Sequence, residues 1–146
     1  MATNAGPVYG KQYIRYAETF EAGVGNTNTW EMGEFRLLTL SAADGTVGSP
    51  IDTGSTIYVG VNQSYMPSAI ASPQTARQVT VARSGLLLVE VAPGAASIPP
   101  IGGQLAVNNL GQADGGGTAV TMNGSEPQVR EIIDIAGRKM VLVSFL

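Results

Sequence analysis

The sequence predicts an all-β protein: a small sandwich or barrel of about seven or eight short strands, with an N-terminal arm. Three observations carry that expectation. From residue 34 onward, apolar and β-branched residues recur with period two in short runs. Clusters of Gly, Pro, Asn and Asp separate those runs and mark turns. The chain is also 44% hydrophobic but only 13% charged, with 19 glycines in 146 residues. That is enough apolar surface for one domain with a buried core. The glycines lack the three-residue period of a collagen.

The first 30 residues differ from the rest and form the expected arm, residues 1–30; the body is residues 31–146. The opening Met1 to Pro7 is small and polar and reads as a mobile tail. Tyr9, Tyr13, Tyr16 and Phe20 follow at spacings of 4, 3 and 4, which on a helix would place four rings on one stripe. Gly23 and Gly25 would stop such a helix. The rival conformation is extended, with Ile14, Tyr16, Glu18 and Phe20 sharing a face; both remain open at this level.

In the body, residues 34–41 (EFRLLTLS) read as a strand, and Ala43-Asp44-Gly45-Thr46 as a turn. Ser49-Pro50 and Asp52-Thr53-Gly54 punctuate a loop. Residues 56–61 (TIYVGV) alternate as a strand in which Gly60 marks a bulge or a close backbone approach. Residues 64–76 are a polar loop. Residues 77–83 (RQVTVAR) alternate, with Val79 and Val81 inward and Gln78 and Thr80 outward. Arg83-Ser84-Gly85 reads as a hairpin-like break before residues 86–91 (LLLVEV), a strand buried on both faces for most of its length.

Short strands are expected at 104–108 and 118–122, with a flexible glycine-rich loop, 110–117, between them. Residues 131–135 and 140–146 read as a closing hairpin, with a helix over 127–136 as the competing assignment. Burying a Leu or Phe is worth ~1.5–3 kcal/mol, so the terminal Phe145-Leu146 is expected to pack into the sheet, with a partner surface as the alternative.

Composition narrows the chemistry. With no cysteine and no histidine, thiol chemistry, disulfides and histidine-dependent catalysis or ligation have no residues to use. A net charge of −3 argues against a binder of nucleic-acid phosphates. No apolar run approaches the ~20 residues that cross a bilayer, and the first residues lack a secretory core, so the expectation is cytosolic synthesis and no membrane partner.

Glu18/Glu21 and Glu31/Glu34 are acid pairs at three-residue spacing, but a solvated face explains them better than an acid–base pair. Gly23-Val24-Gly25 lacks the third glycine of a dinucleotide fingerprint, because position 28 is Asn28. The 111–117 loop has no following Lys-Ser or Lys-Thr, and Asp114 lacks the acidic spacing of a calcium loop. No catalytic, cofactor or metal residue is therefore assigned, and the chain is expected not to be an enzyme.

Aromatic placement is more informative. Tyr9, Tyr13, Tyr16, Phe20 and Trp30 all fall in the first 30 residues. Large rigid rings are enriched as interface anchors. These five are the candidate partner-binding residues, facing either a partner or the chain's own barrel.

The organisation of residues 34–146 resembles the small decoration, or cement, proteins of tailed-phage heads. The resemblance lies in Ile57-Tyr58-Val59-Gly60-Val61 and in the run from Val79 to Gly85 leading into Leu86-Leu87-Leu88-Val89-Glu90-Val91. It extends to Gly103-Gln104-Leu105-Ala106-Val107 with its glycine-rich turn, and to the Ile132-Ile133-Asp134-Ile135 hairpin. It implies a β-rich, often trimeric, non-enzymatic protein on the capsid exterior. There it would bridge neighbouring copies of a major capsid protein. The alternative is a carbohydrate- or receptor-binding β module of a virion spike or fibre, for which Tyr58 and Tyr65 are the candidate groove aromatics on the body.

Overall fold

The computed structural model describes residues 12–23, 33–64, 77–135 and 137–146. Among them are nine strands: β1 (Tyr13–Ala22), β2 (Leu37–Leu40), β3 (Val47–Gly48), β4 (Tyr58–Asn62), β5 (Arg77–Glu90), β6 (Ala106–Val107), β7 (Thr118–Ala119), β8 (Gln128–Ile135) and β9 (Arg138–Phe145). One short helix, α1 (Pro50–Thr53), lies between β3 and β4. The all-β expectation holds. The strands number nine rather than seven or eight: the runs at 77–83 and 86–91 are one strand, β5, while β1 and the two-residue β3, too short to leave a period in the sequence, are added.

Seven strands form one sheet in the order β1-β3-β2-β4-β5-β9-β8. β1 also pairs with β5, so β1, β3, β2, β4 and β5 close into a ring. Beyond the ring, β5 continues into an extension with β9 and β8. β6 and β7 form a separate hairpin. Closure satisfies backbone groups that an open sheet would leave at its edge.

Three apolar clusters follow from this layout. Phe20, Ala22, Leu38, Leu40, Val47, Val59, Val79 and Val81 fill the ring. A larger cluster, including Leu37, Val61, Leu87, Leu105, Val120, Val141 and Phe145, lies under the β6–β7 region. The third gathers Phe35, Leu86, Leu88, Ile133, Met140 and Leu142. Leu87 and Leu88, adjacent on β5, therefore serve different clusters, which is why that segment reads as continuously apolar. Val79 and Val81 are buried and Gln78 and Thr80 exposed, as alternation predicts. At the C-terminus Phe145 is buried in the large cluster, whereas Leu146 is exposed, since it lies past the last pairing of β9 with β5.

One sequence expectation is corrected, and one open alternative is decided. Arg83-Ser84-Gly85 is not a break: β5 runs through it for 14 residues. Gly85 sits at φ +123°, and a Cβ there would lie 2.1 Å from the Tyr13 carbonyl oxygen, so the glycine serves strand approach rather than a turn. Nor is 127–136 helical; Gln128–Ile135 pairs with β9 as the first arm of the closing hairpin. Gly60 does mark a close approach: its Cβ would lie 2.2 Å from the Ala82 carbonyl oxygen.

The 110–117 loop is fixed by its own glycines. Asn108 Oδ1 accepts from the N–H groups of Leu110 and Gln112 at 3.0 and 2.9 Å. Leu37 N–H donates to the Gly111 carbonyl at 2.9 Å. A Cβ at Gly111 would lie 2.1 Å from the Leu37 oxygen, and one at Gly117 2.2 Å from the Val107 oxygen. Backbone-to-backbone packing of this kind excludes any larger residue.

Candidate functional site

Of the five aromatic candidates, Tyr13, Tyr16 and Phe20 are described; Tyr9 and Trp30 lie outside the described residues. Of the two conformations open to this segment, the extended one is observed. Tyr13–Ala22 runs antiparallel to β5 along its length, and Ala22 also meets Val47 of β3.

The pairing register brings the rings together. Tyr13 faces Leu86, Ile14 faces Gly85, Tyr16 faces Ser84, and Phe20 faces Val79. Arg15 has no register partner, so β1 carries one extra residue between Ile14 and Tyr16. Arg83 is likewise skipped on β5. Leu86 and Ser84 are two apart and share a face, and residues directly opposite share a face across the pair. Tyr13 and Tyr16 therefore point the same way although three residues apart. Simple alternation adds Glu18, Phe20 and Ala22 to the same row. The spacing of 3 and 4 that suggested a helical stripe is realised on a strand by one bulge.

Exposure rises along this row. Ala22 is 4% exposed in the ring and Phe20 packs against the same cluster, whereas Tyr16 is 53% and Tyr13 62% exposed. The row thus has an anchored end and an open end. Arg83 joins the two. Its Nη1 donates to Glu18 Oε1 at 2.8 Å, its Nε to the Val59 carbonyl at 3.0 Å, and its guanidinium lies 5.6 Å from the Phe20 ring centroid. Glu18 is thus half of an ion pair, and Glu21, its partner in the acid pair, sits opposite Gln78 in exposed surface. Glu31 lies outside the described residues.

Other polar groups are committed to structure. Glu90 accepts from Arg36 Nε at 3.0 Å and Gln112 Nε2 at 3.3 Å, with Arg138 Nη2 at 3.8 Å. Arg138 also lies 5.5 Å from the ring centroid of Phe35, a buried residue with φ +69°. Asp44 caps its turn: the Thr46 hydroxyl and N–H both donate to it, and they hold its carboxyl below the ordinary range. Among the described residues, no group of three or more His, Cys, Asp or Glu could hold a metal ion. No helix among them is long and apolar enough to cross a membrane.

A second feature escaped the sequence because it joins distant segments. An open groove of about 580 Å³ lies between the α1–β4 segment and the β6–β7 hairpin. Tyr58 and Asp114 both line it. The Ile51 N–H donates to the Asn109 carbonyl at 2.9 Å and pins one side to the other. Tyr58 is only 7% exposed, so its ring is not the open stacking surface expected of a groove aromatic; Tyr65 lies outside the described residues. Burial raises the Tyr58 phenol above its ordinary pKa.

No protein-family model, curated protein or solved structure matches this chain.

Proposed function

We propose that the protein is a structural virion component that decorates and cements the outside of a phage capsid, bridging neighbouring capsid subunits. The observation that carries the reading is the Tyr13–Tyr16 face. Two large rings, half or more exposed, are held by a strand that pairs with β5 on both sides of one bulge and is anchored at Phe20. Rigid rings presented this way lose little freedom on binding and suit an adhesive contact. Adhesion to a repeated lattice also gains avidity of ~10²–10⁴ when several copies engage together. In this reading the protein acts mechanically, as a trimer whose copies tie adjacent capsomers against internal pressure.

The test has two steps. Light scattering across a wide concentration range should give a particle near three times 15.1 kDa. The purified chain should then co-sediment with heads of the virus that encodes it, and a Tyr13→Ser/Tyr16→Ser double variant should bind them at least tenfold more weakly, as the loss of two interface rings implies. Failure of the unaltered chain to bind heads, or equal binding by the variant, removes the proposal.

A further inference from the structure

The groove between the α1–β4 segment and the β6–β7 hairpin is open and carries several polar side chains. Its volume, about 580 Å³, lies within the ~300–1,000 Å³ range of small-molecule pockets. Tyr58, which lines it, is more than nine-tenths buried, yet its hydroxyl has no hydrogen-bond partner among the described residues. Buried polar groups are normally paired, and an orphaned one calls for an explanation. Tyr58 is itself one of the residues that line the groove.

Ser55 and Asn108, which also line it, already bond within the chain, whereas Asp114, Asn109, Thr56 and Thr118 keep polar side-chain atoms without a partner among the described residues. Asp114 uses Oδ1 to accept from the Gly116 N–H at 2.9 Å, which leaves Oδ2 available. The side chains of Asn109, Thr56 and Thr118 line the same groove and make no hydrogen bond within the described chain. The groove therefore offers a phenol, a carboxylate oxygen, a carboxamide and two hydroxyls. Among the described lining residues there is no Lys or Arg.

That set selects a ligand class. An anion would meet the Asp114 carboxylate without a cation to offset it. An apolar ligand would strand the lining donors and acceptors. A ligand with several adjacent hydroxyls, each both donor and acceptor, matches a lining that mixes the two. We infer that this groove binds a neutral sugar unit, with the Tyr58 hydroxyl, Asp114 and Asn109 as its principal contacts. This site is separate from the Tyr13–Tyr16 face and does not depend on the capsid reading.

The experiment is an amide-resolved NMR titration of the full chain with the methyl glycosides of glucose, galactose and mannose and with N-acetylglucosamine. Inorganic phosphate and putrescine serve as anionic and cationic competitors. At least one sugar should shift the amides of residues 56, 58, 109, 114 and 118 saturably. Tyr58→Phe should weaken that binding about fivefold, the effect of losing one hydrogen bond, with amides elsewhere unmoved. Asn109→Ala, at an exposed loop position, gives the same reading should Tyr58→Phe disturb the fold. The inference is overturned if no sugar in the panel shifts these amides, if phosphate or putrescine shifts them instead, or if both variants bind as tightly as the parent.

Discussion

Arg83 Nη1 lies 2.8 Å from Glu18 Oε1, across the only stretch where β1 and β5 each carry an unpaired residue. The irregular stretch is thus bridged by side chains where the backbone ladder is interrupted. Arg83 also bonds the Val59 carbonyl and faces Phe20, so it ties β1, β4 and β5 together, whereas among the described residues Glu18 takes part only in the pair. The pair itself is partly exposed, 26% for Arg83 and 40% for Glu18, and solvent screens it. Arg83→Ala should therefore destabilise by about 2 kcal/mol, and Glu18→Ala by only about 0.5 kcal/mol. Urea denaturation of the two variants checks this; equal losses would mean that the ion pair, not the carbonyl bond and the ring, holds the corner.

Gly85 makes a sharper case. At φ +123° its missing side chain leaves room for the Tyr13 carbonyl. Gly85→Ala forces β1 away from β5 and should cost about 3 kcal/mol or more. Gly94→Ala is the control: its φ is +76° but nothing lies within 4 Å of a Cβ, so only the backbone penalty of about 1 kcal/mol applies. Thermal unfolding of both variants separates steric exclusion from conformational preference.

These two residues also mark where sequence reading reached and where it stopped. Period-two alternation located β4, β8 and β9 and the inward Val79 and Val81, because burial on one face is a local pattern. Gly85 carried a true signal, that a side chain is forbidden there, but a turn and a close strand crossing both forbid one. Which applies depends on Tyr13, more than 70 positions away. The aromatic stripe had the same ambiguity. Spacings of 3 and 4 fit a helix, and a strand fits them only with the bulge at Arg15, whose cause lies in the register with β5. The groove was illegible for a related reason: Tyr58 and Asp114 come from segments that meet only after the ring has closed.

Truncation distinguishes the strand from a detachable arm. A chain beginning at Gln12 keeps β1 and the bond from the Leu88 N–H to Gln12 Oε1 at 2.9 Å. A chain beginning at Glu31 loses β1, opens the ring, and exposes Val79 and Val81. The shorter chain should lack a cooperative unfolding transition, while the longer one keeps it. Calorimetry that showed the same transition for both would mean β1 adds nothing to the body's stability.

Within β1 the rings should divide by role. Phe20 packs into the ring, so Phe20→Ala should cost about 2–3 kcal/mol, toward the low end for aromatics because the residue is only partly buried. Tyr13→Ser and Tyr16→Ser remove exposed rings and should each change stability by no more than about 0.5 kcal/mol. Equilibrium unfolding of the three variants tests this, and large losses at Tyr13 or Tyr16 would assign those rings to the fold rather than to a partner.

Tyr58 should give the protein an alkaline limit. Burial disfavours the phenolate and raises its pKa above that of an unfolded tyrosine, which ionises near pH 10. The folded state therefore holds the Tyr58 proton after the unfolded state has released it. The stabilisation from keeping this phenol neutral is complete below about pH 10 and is lost as pH rises through the folded-state pKa. Tyr58→Phe has no proton to lose, so the difference in unfolding free energy between parent and variant should be flat below about pH 10 and shift steadily in the variant's favour above it. Urea midpoints for both chains, measured from roughly pH 8 to 11, read that difference directly and cancel every other ionising group. Parallel curves over the whole range would mean that the Tyr58 hydroxyl is as well solvated in the folded protein as in the unfolded chain, and the groove would then hold no orphaned donor for a ligand to satisfy.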